Sequence, residues 1–292
     1  MSMKGNQTSG LTLALHISNS CPNNCLFCME RDLKGNRNRT DDISGEFLLE
    51  EVRSCLRQHP DLRRVYLAGA EPTLNPRFHT IVADISSMGL RVDVVSAGGL
   101  LAKSDFAGKF LESGGTKVHL SIHSHIAEKH DEMAGRSGAW EQARRAAANI
   151  SALNIPMNFN MVVNALNVED LPQSVEGLIS DFPAVERIVI YLVRPVGRAS
   201  DISLLPSLSL VGRQLKAAIH SCSRVVYRDI PPCMTGGLGA EYRCQNFLFR
   251  TSKGFQKLAP ERYRRNLSCL LCRWRGVCPG FLATYPASLL RG

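Results

Sequence analysis

The stretch "LTLALHISNSCPNNCLFC" (residues 11–28) joins an apolar run to three cysteines in a C-x3-C-x2-C array. Residues 11–17 form a short apolar segment bounded by turn-forming and polar residues, which is the pattern of a buried strand. Cys21, Cys25 and Cys28 follow that strand directly. A closed structural zinc site normally takes four protein ligands. The array therefore predicts a metal site whose fourth ligand comes from elsewhere.

Strand-like and helix-like segments alternate along the first two thirds of the chain. Further strands are predicted at residues 63–68, 91–96, 117–123, 156–164 and 187–193. Each is followed by a segment with helical periodicity or helix-compatible composition. Since parallel neighbours need crossover helices, six such units predict an α/β fold with a parallel sheet. A flat doubly wound sheet and a curved, incomplete barrel both fit, and in both, ligands gather at the C-terminal ends of the strands.

Composition narrows the class of protein. The chain has 292 residues, of which 44% are hydrophobic and 21% charged, as in ordinary globular proteins. No apolar run reaches membrane-spanning length, and the N-terminus lacks the apolar core of a secretory signal, so we expect a cytoplasmic protein without a membrane partner. The net charge of +9 favours an anionic partner. No RNA-binding signature of aromatics and glycines accompanies the basic residues, which argues against nucleic acid.

Eight of the ten cysteines fall into two clusters. The second cluster consists of Cys233, Cys244, Cys269, Cys272 and Cys278. Clustered thiols in a reducing compartment indicate metal binding rather than disulfides. The other two, Cys55 and Cys222, lie on helical apolar patterns and are predicted to be structural.

The array after the first strand resembles the hallmark of the radical S-adenosylmethionine (radical SAM) superfamily, whose fold is a partial (β/α)6 TIM-type barrel. The resemblance implies that Cys21, Cys25 and Cys28 hold a 4Fe-4S cluster with one open iron. It also implies that S-adenosylmethionine chelates this iron and is cleaved on reduction to a 5'-deoxyadenosyl radical. The missing fourth ligand would then be the cofactor itself.

Other segments resemble the cofactor-binding parts of this family. "LAGAEPTLNP" (67–76) is similar to its Gly-Gly-Glu-Pro segment, with alanine in place of the second glycine. The resemblance implies that this loop meets the amino group of the cofactor, for which an acidic side chain is a suitable partner. The predicted cofactor-binding residues are Phe27, Gly69, Ala70, Glu71, Pro72, Ser96, Ser121, Asn160 and Val193.

"KVHLSIHSHIAEKHDEMAGRSGAW" (117–140) is similar to a stretch common in peptide-modifying members, although His123 and Ser124 stand where Asp and Gly are usual. Strand alternation turns Ser121 and His123 to one face, which we expect to line the barrel lumen. His123, Tyr191 and Arg194 are the candidates for proton transfer or substrate anchoring, and Arg198 is a further candidate for contacting a carboxylate.

The tail "CLLCRWRGVC" (269–278) resembles the C-x2-C-x5-C part of SPASM or twitch auxiliary-cluster regions. The resemblance implies one auxiliary 4Fe-4S cluster on Cys269, Cys272 and Cys278, with Cys233 as the favoured fourth ligand and Cys244 as its rival. A structural zinc ribbon is the alternative for these thiols. The predicted domains are a barrel over residues 1–204 and a small cysteine-rich region over residues 205–292.

Two enzymatic functions fit these features. The first is maturation of a ribosomally made peptide by oxidative cross-linking, epimerisation or a similar reaction. The second is radical oxidation, epimerisation or rearrangement of a small molecule such as a sugar alcohol or a phosphorylated metabolite. We also expect an electron donor such as flavodoxin or ferredoxin and, because the barrel begins near Met1, a separate leader-peptide-binding protein. A third hypothesis is a non-catalytic zinc protein that binds nucleic acid.

Overall fold

The computed structural model describes residues 10–29, 43–240, 247–251, 254–257 and 263–290. Its main feature is a sheet of nine strands in which the first seven are parallel and follow chain order from one edge. These strands are β1 (Leu11–Ser18), β2 (Leu62–Gly69), β3 (Arg91–Ser96), β4 (Gly115–Ser121), β5 (Met157–Val163), β6 (Arg187–Leu192) and β7 (Val225–Arg228). The parallel sheet curls into a half-barrel, which confirms the predicted fold class.

Seven helices accompany the parallel strands within the described residues. They are α1 (Gly45–Gln58), α2 (Phe78–Ser87), α3 (Ser104–Glu112), α4 (Ala127–Ala134), α5 (Ala139–Ala152), α6 (Leu171–Asp181) and α7 (Leu208–Ser221). Each is amphipathic and buries one face; α5, for example, buries Ala143, Ala147 and Ile150 as its periodicity predicts. In the part of the chain that the structure describes, no helix combines the length and the apolarity that crossing a membrane requires.

The C-terminal part extends the sheet at its opposite edge. Strand β8 (Phe247–Thr251) pairs in parallel with β1, and β9 (Gly254–Lys257) pairs antiparallel with β8. A separate two-stranded sheet joins β10 (Tyr263–Arg264) to β11 (Phe281–Leu282). Strand β7 belongs to the parallel sheet although it lies beyond residue 204. The predicted domain boundary between residues 204 and 205 remains a prediction.

Polar side chains on the inner face of the sheet are bound to one another. The carboxylate of Asp93 on β3 accepts a hydrogen bond from the Thr116 hydroxyl at 2.7 Å and lies 3.2 Å from Nε of Arg64. Nε2 of His119 on β4 lies 3.5 Å from the same carboxylate. Burial opposes ionisation of Asp93, but His119, Arg64 and Thr116 lower its pKa below the ordinary value. The charge in the lumen is therefore balanced within the protein.

Alternation along β4 can be tested with matched leucines. Leu120 is 0% exposed, whereas Leu111 on α3 is 43% exposed. We expect Leu120→Ala to lower the free energy of unfolding by about 2–5 kcal/mol, since it removes buried methyl groups and leaves a cavity. Leu111→Ala should change the free energy of unfolding by less than about 0.5 kcal/mol. Urea unfolding measures both, and equal losses would contradict the assignment of β4 faces.

Candidate functional site

A cavity of about 630 Å³ opens at the C-terminal ends of the parallel strands. It is lined by the loop after β1 and by residues at or beyond the ends of β2 to β7. The predicted site residues among its lining are Cys21, Cys25, Phe27, Cys28, Gly69, Ala70, Ser96, Ser121, His123, Tyr191 and Arg194. Four others, Glu71, Pro72, Asn160 and Val193, are not part of the lining. The structure thus brings the first cysteine cluster and the candidate polar groups to one cavity.

The loop that carries these three cysteines, residues 21–28, is bound to the end of α4. The backbone N–H of Asn24 donates to the carbonyl of Ala134 at 2.8 Å, and that of Leu26 donates to Met133 at 3.0 Å. Gly135 ends the helix with a φ of +60°, and a Cβ there would lie 2.3 Å from the Asn24 carbonyl oxygen. Only glycine allows so close an approach in this backbone conformation.

Two arginines hold the same loop through its asparagine side chains. Nε of Arg136 donates to Oδ1 of Asn23 at 2.6 Å, and Nη1 of Arg198 donates to Oδ1 of Asn24. The backbone N–H of Arg198 also donates to the carbonyl of Cys28 at 3.1 Å. The guanidinium of Arg198 binds the loop and also lines the cavity, and its contact with a carboxylate or a substrate stays a prediction. No local pattern points to the two asparagines, because each partner lies more than a hundred residues away.

The loop after β2 is bound to the loop after β1 through its backbone. Ala70 N–H donates to the carbonyl of Ser18 at 3.0 Å, and Glu71 N–H donates to that of Ser20 at 2.9 Å. Gly69 has a φ of +121°, and a Cβ there would lie 2.6 Å from the Ser18 oxygen. Ala70 has a negative φ, so its methyl group causes no backbone strain. The glycine-to-alanine departure from the family pattern is therefore compatible with this turn.

The carboxylate of Glu71 binds neighbouring loops, and Glu71 is not part of the cavity lining. Oε1 accepts from the hydroxyls of Thr73 at 2.7 Å and Ser96 at 2.8 Å, and Oε2 accepts from the Ala97 N–H at 2.8 Å. Burial raises its pKa, and these hydrogen bonds act in the opposite direction. Glu71 therefore joins the loops after β2 and β3, and a contact between its carboxylate and a ligand ammonium stays a prediction.

Three predicted cofactor residues lie behind the lining. Pro72 is buried at the start of a short 3-10 turn, and Val193 donates its N–H to the carbonyl of Val163 at 3.0 Å. Asn160 on β5 is buried, and its Oδ1 accepts no hydrogen bond from the described residues. A buried acceptor normally has a partner, so water or a ligand group is needed there. Cofactor contacts by these three residues remain predictions.

Arg194 beyond β6 is paired with Asp229, which directly follows β7. Nε and Nη2 of Arg194 lie 3.2 and 2.5 Å from Oδ2 of Asp229, while the Tyr263 hydroxyl donates to Oδ1 at 2.7 Å. The Tyr191 hydroxyl accepts from Nη1 of Arg228 at 3.1 Å. Sequence reasoning missed Asp229; recognising "VVYR" as a seventh parallel strand would have placed it at the cavity.

His123 and His130 line the cavity as a stacked pair. Their ring centroids lie 5.5 Å apart with an interplanar angle of 12°, and the Phe27 ring meets His123 edge-on at 4.8 Å. The residues are 5% and 2% exposed. Burial lowers the pKa of both imidazoles, that of His130 to about 4, so both are neutral at pH 7.

Four thiols of the second cluster line a separate small cavity of about 20 Å³. They belong to Cys233, Cys269, Cys272 and Cys278. Burial raises the pKa of the Cys233 and Cys278 thiols, and the neighbouring thiols raise it further. Cys244 lies outside the described residues.

The two thiol groups have the donor type that iron-sulfur clusters take. Within the described ranges, no three His, Cys, Asp or Glu side chains converge as ligands for a single metal ion. The first group has three thiols beside a large cavity with polar side chains in its lining, which fits a cluster that is also open to a second ligand. The second group has four thiols around a small cavity.

The approach of Gly135 to the cysteine loop can be tested with a matched glycine. Gly135 and Gly138 both have positive φ, but a Cβ at Gly138 would meet nothing within 4 Å. Alanine at either position should cost about 1 kcal/mol in backbone strain. Only Gly135→Ala should also displace the loop, so we expect iron content after reconstitution to fall at least twofold in this variant. Equal iron contents in Gly135→Ala and Gly138→Ala would contradict the proposed contact.

The pKa of His130 predicts how stability depends on pH. Its pKa in the folded protein is about 4, below the ordinary value near 6.5. Unfolding therefore takes up a proton below about pH 6.5, so the free energy of unfolding falls by up to about 3 kcal/mol as pH decreases toward 4. His130→Gln should flatten this slope in urea unfolding, whereas His220→Gln at an exposed position should not. An unchanged slope in His130→Gln would refute the assignment.

Comparison with known proteins shows which family this chain resembles. The model of the radical SAM superfamily matches residues 15–178. An AdoMet-dependent heme synthase of Methanosarcina barkeri is 26% identical over 192 residues, which make up 65% of this chain and 52% of the relative. A PqqA peptide cyclase of Methylorubrum populi is 27% identical over 164 residues, or 55% of this chain and 40% of the relative. The chain thus spans about half the length of the curated relatives it matches.

Solved structures share the fold. SuiB of Streptococcus suis bound to S-adenosylmethionine superposes with a TM-score of 0.70 at 13% identity, covering 94% of this chain and 73% of that one. SuiB bound to its precursor peptide SuiA gives 0.69 at 14% identity, covering 94% and 72%. The anSMEcpe protein with bound AdoMet gives 0.71 at 16% identity, covering 93% and 89%. Because the family model matches more than half of the chain, the protein belongs to the radical SAM superfamily.

Proposed function

We propose that this protein is a radical SAM enzyme that abstracts hydrogen from a ribosomally made peptide during its maturation. The observation that carries the proposal is that Cys21, Cys25 and Cys28 line the same cavity as Ser121 and His123 at the end of β4. Three thiols of this kind suit a 4Fe-4S cluster, and the polar groups beside them suit a ligand with hydrogen-bonding atoms.

The cysteine loop would hold the 4Fe-4S cluster. When bound, this cluster and S-adenosylmethionine supply a 5'-deoxyadenosyl radical by one-electron cleavage of the sulfonium. The protein contributes binding and orientation. The backbone of Gly69 and Ala70 and the hydroxyls of Ser96 and Ser121 would orient the cofactor, while Glu71 fixes the loops that carry three of these residues.

Arg194, Asp229 and Tyr191 would anchor the substrate. Asp229 neutralises much of the charge on Arg194, so the pair presents directed N–H groups with little net charge. Arg228 donates to the Tyr191 hydroxyl, which orients the phenol oxygen at the cavity. We propose that these groups position the peptide so that one C–H bond faces the cofactor, since misplacement of a reacting bond by 1 Å is costly to the rate.

We further propose that residues 205–292 form a SPASM- or twitch-like region with one auxiliary 4Fe-4S cluster. The support is that Cys233, Cys269, Cys272 and Cys278 line one small cavity. Zinc is the competing metal, because four thiolates also suit a structural zinc site. Cys244 stays a rival to Cys233 as the fourth ligand.

A peptide substrate is supported by two similarities: the PqqA peptide cyclase, and the fold of SuiB, whose structure includes a precursor peptide. The runner-up is chemistry on a small molecule, which the similarity to AdoMet-dependent heme synthases favours. Deuterium transfer separates the two. Extracts of cells grown in heavy water are divided by size into peptides and small metabolites, and deuterium in 5'-deoxyadenosine identifies the fraction that donates hydrogen. Labelling by the metabolite fraction alone would refute the peptide proposal.

We propose two partners, a separate leader-peptide-binding protein and an electron donor such as flavodoxin or ferredoxin. We also propose that the protein works in the cytoplasm. An acidic electron donor would complement the exposed arginines Arg273 and Arg275. Leu267 and Leu271 are 85% and 97% exposed and would add apolar contacts to the same partner. Residues 263–292 contain no Asp or Glu, so every charged side chain in this segment is basic.

The metal content tests the whole proposal. We expect about eight irons and eight sulfides per chain after anaerobic reconstitution, with S-adenosylmethionine cleaved on reduction. Changing Cys21, Cys25 and Cys28 to Ala should leave about four irons and abolish cleavage. Changing Cys233, Cys269, Cys272 and Cys278 to Ala should leave the other four.

Electron paramagnetic resonance distinguishes the clusters, and Cys222→Ala is the matched control, which should keep the wild-type iron count. Zinc in place of the second group of irons would refute the auxiliary cluster while leaving the radical enzyme intact. A wild type without iron would refute the enzyme proposal.

A further inference from the structure

The backbone fixes the tautomer of both histidines in the cavity. Nδ1 of His123 accepts a hydrogen bond from the Val162 N–H at 3.3 Å. Nδ1 of His130 accepts one from the His123 N–H at 3.2 Å. A ring nitrogen that accepts carries no proton, so in each neutral ring the proton lies on Nε2. Both imidazoles are therefore donors through Nε2.

Neither Nε2–H has a partner among the residues that the structure describes. Both side chains are more than nine-tenths buried, and both line the 630 Å³ cavity. Polar groups that line a cavity normally meet water or a ligand group there. Both N–H groups are therefore available to an acceptor in the cavity.

The rings are held in position from several sides. Asn167 Nδ2 donates to the carbonyl oxygens of His123 at 2.8 Å and of Val162 at 3.0 Å. The rings stack on each other, and Phe27 packs against the His123 ring. Donors fixed in this way need little reorganisation when a ligand binds.

Charges of both signs lie around the pair. Asp131 and, more weakly, Arg136 act on His130, and Arg198 lines the same cavity with a hydrogen bond to the uncharged Asn24 side chain. The charge of Arg194 is opposed by Asp229. The preference for an oxygen atom therefore comes from the two N–H groups themselves, which can donate only to an acceptor.

We propose that the Nε2–H groups of His123 and His130 form a donor pair that binds a carbonyl or carboxylate oxygen of the ligand in this cavity. His123 is then a fixed hydrogen-bond donor and does not accept a proton from the substrate, since its Nδ1 is already occupied by the Val162 N–H. The inference rests on the proposed function in taking the oxygen from S-adenosylmethionine or from the peptide substrate.

A matched pair of amide variants tests this subsite. The carboxamide of His123→Gln reaches the position of Nε2 and keeps a donor there. The shorter carboxamide of His123→Asn replaces Nδ1, so it accepts from Val162 but leaves no donor at Nε2. The same pair is made at His130. Iron content and urea midpoints that agree between Gln and Asn variants show that folding is equal.

Calorimetry with S-adenosylmethionine on the reconstituted protein is the first readout. If the oxygen belongs to the cofactor carboxylate, the Asn variants bind about tenfold more weakly than wild type, and the Gln variants within about threefold. Decarboxylated S-adenosylmethionine should then bind wild type and Asn variants equally. If the oxygen belongs to the peptide, affinity for S-adenosylmethionine is unchanged, and deuterium transfer from the peptide fraction falls about tenfold in the Asn variants alone.

Asn variants that match wild type in both readouts would overturn the donor pair. Gln variants as impaired as Asn variants would overturn it too, because a donor at Nε2 would then be irrelevant. A wild type that binds no S-adenosylmethionine would instead refute the proposed function, which is a different result from equal binding by all variants.

Discussion

The contact between the cysteine loop and the end of α4 is the constraint on which the site depends. A helix end leaves its last carbonyls without partners, and here Met133 and Ala134 receive the N–H groups of Leu26 and Asn24. These hydrogen bonds fix the loop backbone between its thiols. They need the left-handed turn at Gly135, which lets helix and loop approach within van der Waals distance. The geometry of the thiols therefore depends on a helix whose sequence begins a hundred residues later.

Carboxylates join loops around the cavity through hydrogen bonds. Glu71 joins the loops after β2 and β3, and Asp229 joins Arg194 to Tyr263 near the C-terminal region. Asp131 accepts the N–H groups of residues 138 and 140 at the start of α5. Each carboxylate is largely satisfied by protein donors, so its effect on a ligand is indirect. Recognition then falls to neutral donors and hydroxyls, which is consistent with an uncharged histidine pair in the cavity.

The second group of thiols depends on the same kind of long-range folding. Cys233 follows β7 closely, whereas Cys269, Cys272 and Cys278 belong to a later segment. The return of the chain through β8 to β11 brings these segments together at one small cavity. Because Asp229 next to the large cavity also directly follows β7, one short strand leads to residues of both sites. Substitutions in that strand are expected to influence both.

Local periodicity and cysteine spacing extend over a few residues, so they were enough to predict six strand–helix units, the lumen-facing side of β4 and the two thiol groups. The partners of Glu71, Arg194 and Arg198, and the membership of β7 in the parallel sheet, became known from the folded chain. These features depend on hydrogen bonds between residues 25 to 174 positions apart, which no local pattern records. The tautomer of His123 is of the same kind, since a backbone N–H on the neighbouring strand sets it.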